Sequence, residues 1–258
     1  GFIFLYSIID NPYEKNEIFL SFIFSVARLI SCFIFAFLII YFLVILNFAS
    51  KEKISISYLG PITNFLKRYG KFAFFILLLI SLYRIADVVM GVMANIFYLE
   101  KGYKISEIAT FSKFFGVFAT IVGGFIGGYC SYKFGTMKAL FFGALIAALS
   151  NLLFAWLAVS PISINFLIAV ITADNISSGF AGAAFVIYLS GLTSIKFTAT
   201  QYALFSSIML FLPKLIAGYA GSWVDIMGYA YFFSFTAFLG IPVLLLIIWI
   251  GKVAPIKN

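Results

Sequence analysis

The chain has 258 residues, 64% of them hydrophobic and only 10% charged, with a mean hydropathy of +1.14. Ordinary globular domains carry roughly 25% charged residues, so a water-soluble fold is excluded; the apolar runs are continuous rather than alternating, which points to membrane helices. The net charge of +8 does not indicate a nucleic-acid partner, because the basic residues sit mostly in short segments between apolar runs and lack the interleaved aromatics of a nucleic-acid groove.

Histidine is absent, which excludes a histidine-ligated metal and leaves carboxylates, tyrosine or lysine as proton carriers. Cys32 and Cys130 fall in different apolar runs without CxxC spacing, so neither a disulfide nor a metal site is supported, and no cofactor is expected.

Residues 1–8 are too short to span and lack the basic start of a signal peptide. They read as the tail of a helix whose start is missing, so the expectation is a fragment. Residues 9–17 form a polar loop. Residues 18–48 are a long apolar run in which Ser21, Ser25, Arg28 and Cys32 make a polar stripe at helical spacing. Arg28 either lines a cavity, snorkels toward headgroups or pairs with a missing helix. Residues 49–71 are polar, carry five Lys or Arg against Glu52, and are broken at Gly60–Pro61. The stretch 65–71 suits a short interfacial helix, and the whole segment reads as a linker between two helix bundles.

Six spans follow, at about 72–98, 106–130, 137–159, 162–190, 200–222 and 228–250, with short connections that make neighbours antiparallel. Ten Lys or Arg lie in the segments 49–71, 131–138, 191–199 and after 250, against three in the opposite loops. The positive-inside rule places the ten in the cytoplasm, together with the C-terminus.

The first of these spans, 72–98, carries Arg84 and Asp87 in its middle, on one helical arc with Gly91 and Asn95. A charge at mid-bilayer costs about 2.5–3.5 kcal/mol on insertion scales. The pair either marks a pathway or neutralises itself and only packs helices. On the second span Lys113, Gly116, Thr120, Gly124 and Gly127 share a face, and Gly123/Gly127 and Gly124/Gly128 are small-xxx-small pairs. The glycines read as packing surface; Lys113 either snorkels or serves a substrate or relay role. On the fourth span Asp174–Asn175, with Ser177 and Ser178, could bind a proton or a hydroxylated ligand, or make a helix–helix hydrogen bond. On the fifth, Pro213 bends the helix beside Lys214, and Gln201 lies in its opening turn.

The third helix of each three-helix unit, 137–159 and 228–250, has no charge in its core. That division predicts four inner helices around a polar space and two outer ones. Arg84, Lys113 and Lys214 outnumber Asp87 and Asp174, so a shared cavity would favour an anionic ligand. A weak internal echo, Gly128…Gly135 and Gly221…Gly228, places two glycines seven apart at two hairpins 93 residues apart, as inverted three-helix units would. No P-loop, nucleophile elbow or metal cluster is present, so an enzyme is not expected.

The stretches LYRIADVVMGVMANIFYLEKGY (82–103), FSKFFGVFATIVGGFIGG (111–128), ALSNLLFAW (148–156), the 173–207 block with its ATQYAL motif, and LPKLIAGYAGSWVDIMGY (212–229) resemble the major facilitator superfamily, and within it the AmpG-type muropeptide permeases. In the superfamily's loop signature, GGYCSYKFGTMK keeps Gly128, Lys133, Gly135 and Lys138 as gating-loop residues, with Tyr132 where the acidic residue would stand. The resemblance implies an all-α membrane bundle of the major-facilitator type. Residues 1–48 would be the end of helix 5 and helix 6 of a truncated N-terminal bundle, 49–71 a cytoplasmic basic linker, 72–252 the C-terminal six-helix bundle, and 253–258 a cytoplasmic tail. It also implies proton-driven import of anhydro-muropeptides across the bacterial inner membrane for peptidoglycan recycling, with the missing N-terminal half required for transport. The expected partners are a muropeptide-like small molecule, protons and membrane lipid, with no nucleic acid. The residues expected to bind substrate or couple protons are Arg84, Asp87, Asn95, Lys113, Asp174, Asn175, Gln201 and Lys214. The alternatives are a transporter of a sugar, peptide or acyl-CoA compound, or a non-transporting fragment.

Overall fold

A computed structural model describes residue 12, residues 18–46 and residues 59–253. The expectations for residues 1–11, 13–17 and 47–58 and for the tail after 253 lie outside them. Contacts divide the chain into two units, residues 1–64 and 65–258. Within the first unit, helix α1 (Ile18–Ile45) is predominantly apolar apart from the stripe of Ser21, Ser25 and Arg28, and Phe33, Ile34, Phe37, Leu38 and Phe42 are exposed. Such a surface is stable where lipid, not water, surrounds it.

The second unit begins in the last turn of α2 (Gly60–Tyr69) and continues through α3 (Phe72–Leu82) and α4 (Ile85–Lys101). Residues 72–98 were expected to be one helix. They are two, broken at Tyr83–Arg84, where Arg84 has φ −96° and ψ 8°, outside the helical range. Gly102 ends α4 at φ 104°, and the Tyr103 amide donates back to the Tyr98 carbonyl at 3.1 Å, closing the helix as a left-handed glycine does. Next come α5 (Ile105–Ala109), a π-helical turn over Thr110–Phe115, and α6 (Gly116–Phe134). Helix α7 (Thr136–Val159) and helix α8 (Ile164–Leu192, N-capped by Ser163) follow. The remainder is a 3₁₀ turn at Ile195–Phe197, α9 (Thr198–Ala217), α10 (Ala220–Phe238) and α11 (Gly240–Val253).

Helix α10 is interrupted at Gly228, with φ 75° and ψ 164°; Gly135, between α6 and α7, has φ 90° and ψ 150°. These are the second glycines of the two echoed hairpins, and they adopt nearly the same positive-φ conformation, open to glycine and strained for other residues. After Gly228 the chain runs back along α4. Tyr229 donates to Glu100 near the end of α4, whereas Thr236 lies level with Ala86 at its start, both joined by Asn151.

The ends of the bundle differ chemically. One gathers Lys67, Arg68, Lys71, Lys133, Lys138, Lys196 and Lys252; the other carries Glu100, Glu107 and Asp225 with Lys101 and Lys104. At the basic end the Arg68 guanidinium donates to the Leu192 carbonyl and, at 3.2 Å, to the Thr193 carbonyl, covering the open end of α8. At the opposite end Lys101 Nζ bonds the Ala158 and Ser160 carbonyls, each at 2.7 Å.

The tightest seam joins α6 to α8. A Cβ on Gly123 would stand 2.1 Å from the Ile176 carbonyl oxygen, one on Gly127 2.5 Å from that of Phe180, and one on Gly179 2.1 Å from that of Thr120. The glycines let the backbones touch, the usual device where lipid removes any hydrophobic drive for association. Burial does not follow charge: half of the most apolar window of α7 is buried, against 44% for residues 72–101 and 164–192, 28% for residues 105–134 and 17% for residues 195–217. Gly143, Ala144, Ala147, Ala148, Ser150 and Asn151 let neighbours close over one face of α7, while Phe142, Leu149, Leu152 and Trp156 stay exposed on the other.

The seam predicts that Gly179→Ala lowers stability by about 2 kcal/mol through overpacking. Gly128→Ala, at a helical glycine with open space around it, changes stability by less than about 0.5 kcal/mol. Thermal unfolding of the two variants in detergent micelles checks this, and equal melting temperatures would refute the seam.

Candidate functional site

The break between α3 and α4 sets Arg84 at the helix cap and Asp87 in the first turn of α4, where the helix dipole favours a carboxylate. The two side chains form an ion pair, with about a fifth of each exposed (22% and 18%). The Arg84 guanidinium also reaches α8, with Nη2 3.3 Å from Ser178 Oγ and Nη1 3.5 Å from the Ser178 carbonyl. One turn earlier on α8 stands half-buried Asp174, within electrostatic reach of both Asp87 and Arg84. Ser150 Oγ of α7 lies within hydrogen-bond reach of Asp174 Oδ1 at 3.3 Å and of the Ala147 carbonyl at 2.9 Å, with one proton between them. Ser177 Oγ lies 3.2 Å from Ser150 Oγ and 2.8 Å from the Asp174 carbonyl, and its single proton serves one of them at a time. One cation and two carboxylates thus lie on two membrane spans, with the neutral Ser150 contributed by a third.

The other candidates are distributed elsewhere. Asn95 and Lys113 are both exposed and line one cleft of about 320 Å³ between α4 and the π-helical turn, with Ser112, Leu99, Ile105, Ile108 and Ala109. Asn175 is held in the α6–α8 seam: its amide donates to the Ile171 carbonyl at 2.8 Å and its Oδ1 accepts from Thr120 at 3.0 Å. A Cβ on Gly116 would approach that amide to 3.1 Å. Gln201 is buried at the basic end, where its Oε1 accepts from the Ser194 amide at 2.7 Å. Lys214 is exposed behind the buried Pro213. Arg84 is engaged by Asp87 and Ser178, whereas Lys113 and Lys214 are exposed on other elements.

Of the gating-loop residues, Gly135 forms the α6–α7 corner at φ 90°. Lys133 is exposed, its ammonium 5.6 Å from the Tyr129 ring centre and 5.5 Å from that of Phe134. Lys138 is exposed and Gly128 half-buried nearby.

Sequence reasoning missed Ser150, Asn151, Ser178 as an arginine partner, and Thr236. Asn151 is 1% exposed; its amide donates to the Ala86 carbonyl and to Thr236 Oγ1, each at 3.2 Å. The available signal was an adjacent Ser–Asn pair in an otherwise apolar span, since buried polar groups in a membrane need partners.

Seven helices among the described residues are long and apolar enough to cross a bilayer. With a charged and hydroxyl-bearing interior between them, they define a multi-pass helical membrane protein. No family model matches the chain. It is 32% identical to "Putative transporter AmpG 4" of Rickettsia felis, over 98% of this chain and 60% of that protein. It is 36% identical to "Putative transporter AmpG 4" of Rickettsia conorii, over 75% of this chain and 46% of the relative. "Putative transporter AmpG 1" of Rickettsia bellii is also 36% identical, over 72% and 46% respectively. The chain belongs to the AmpG-type permease family, spanning about half the length of these relatives, and membership of the major facilitator superfamily is consistent with the matches.

The ion pair predicts a double-mutant signature. Arg84→Met and Asp87→Leu each lower stability by about 2 kcal/mol, less than the roughly 3–5 kcal/mol of a fully buried pair because both side chains keep some exposure. The double variant recovers at least half of the summed loss. Melting temperatures of the four proteins in one detergent measure the coupling, and strictly additive losses would rule it out.

Proposed function

We propose that this chain forms part of a secondary active transporter that imports anhydro-muropeptides into the bacterial cytoplasm by proton symport, serving peptidoglycan recycling. It is a transporter component, not an enzyme. The observation that carries the reading is the cluster of Arg84, Asp87 and Asp174 at a break in a membrane-spanning helix. Charged groups are costly at that depth and persist where they carry ions or bind substrate, and discontinuous helices are a common way for transporters to build such sites. The choice of substrate class rests on the resemblance to the AmpG-type permeases.

In this reading Asp87 and Asp174 exchange the coupling proton, and Arg84 holds them apart while offering a donor to a substrate oxygen. The cleft of Asn95 and Lys113 receives the anionic end of the ligand, while Asn175, Gln201 and Lys214 shape the surroundings. Gly128, Lys133, Gly135 and Lys138 form the corner that closes between states. The basic end of the bundle and the C-terminus face the cytoplasm of the inner membrane, following the charge asymmetry. A complementary helical bundle, equivalent to the part of the relatives that this chain does not span, completes the transport unit.

The test is uptake of labelled anhydro-muropeptide by cells lacking their own permease. They express the chain alone, and together with the N-terminal half of the Rickettsia felis relative. Uptake is expected with the pair, collapsing when a protonophore is added. Asp87→Asn and Asp174→Asn are expected to cut gradient-driven uptake at least roughly tenfold. Uptake of a labelled sugar, peptide or acyl-CoA compound in its place would reassign the substrate. Confirmed membrane insertion with no uptake of any would sink the transport reading.

A further inference from the structure

Ser150 and Asn151 are neighbours on α7, and their side chains serve different helices. Ser150 Oγ lies 3.3 Å from Asp174 Oδ1 on α8 and 2.9 Å from the Ala147 carbonyl of its own helix, and its single proton serves one of them at a time. The Asn151 amide donates to the carbonyl of Ala86, the residue before Asp87 in the first turn of α4, and to Thr236 on α10. Both residues are almost wholly buried, at 4% and 1% exposure. Two consecutive residues of one helix thus grip the backbone beside one carboxylate and the side chain of the other.

We infer that Ser150 and Asn151 are positioning residues for the charged cluster, with Asn151 fixing the start of α4, and so Asp87, while Ser150 fixes Asp174. The alternative is that they merely pack helices. Packing alone is served better by apolar or small residues, because a membrane interior charges heavily for any polar atom left unpaired. Asn151 Oδ1 is such an atom, buried with no hydrogen-bond partner among the described residues. A group kept at that cost has a role beyond filling space. The role follows from the break at Tyr83–Arg84. A helix that restarts inside the bilayer lacks the rigid continuation that would aim its first turn, so its direction depends on what holds that turn from outside. Asn151 holds it. Because Ser150 and Asn151 ride on one buried helix, any shift of α4 against α7 changes the geometry of Asp87 relative to Asp174.

The inference bears on the transport reading, yet its first test does not depend on it. Backbone deuterium exchange at residues 85–90 is measured on the purified chain in lipid nanodiscs. Asn151→Leu, close in size but without donors, is expected to raise exchange there roughly tenfold, the equivalent of one lost hydrogen bond. Thr236→Val, which leaves the bond to Ala86 in place, is expected to stay within about twofold of wild type. Wild-type exchange in Asn151→Leu, or an equal rise in both variants, would overturn the assignment.

The second test uses the paired uptake assay. Ser150→Ala is expected to lower the maximal rate roughly tenfold with KM unchanged, and Ser150→Thr, which keeps a hydroxyl, to restore it. Equal rates for these two variants would overturn the role of Ser150. If the wild-type pair takes up none of the probes, the transport reading fails and the exchange measurement alone decides the hub.

Discussion

A bilayer interior supplies no partner for a polar atom, and the arrangement of the second unit depends on how its buried polar groups find partners in one another. The consequence is visible at the break between α3 and α4. Interrupting a helix at mid-membrane exposes backbone groups beside the charged and mostly buried Arg84 and Asp87. The fold answers with the ion pair, the reach of Arg84 to Ser178, and the Asn151 bond to the Ala86 carbonyl. Each partner sits on a different helix, so the groups that would be most expensive alone become those that tie α4, α7 and α8 together.

The glycine seam of α6 and α8 is the second half of that solution. Bringing two backbones into contact at Gly123, Gly127 and Gly179 removes side-chain slack between these helices. Asn175 and Thr120 can then meet across the seam, and α8 presents Asp174 and Ser178 toward α4 and α7 at a set depth. Loosening the seam would therefore act on the charged cluster without touching it. This is how a substitution of a featureless glycine would reach the chemistry.

Much of this was legible in the sequence, for identifiable reasons. The spans, the alternation of basic and less basic connections, and the isolation of Arg84, Asp87 and Asp174 follow from composition and hydropathy, because a charge in an apolar run has few explanations. The glycine spacings announced the seam. The echo of Gly135 and Gly228 became a shared backbone conformation. The helix break was not legible, since no proline or glycine marks Tyr83–Arg84 and tertiary contacts stabilise it. The burial of α7 was also hidden: absence of charge was read as contact with lipid, whereas small side chains allowed neighbours to cover one face of it.

That misreading explains why the hub stands on α7. A hub inside a membrane that must hold two carboxylates and an arginine gains nothing from a charge of its own, which would compete for the same partners and need a counterion. A hydroxyl and an amide can hold a carboxylate and a carbonyl while remaining neutral. Ser150 and Asn151 supply this chemistry on the span whose lack of charge made it look peripheral. In this bundle the helix without charged residues is the one best suited to arrange those of its neighbours.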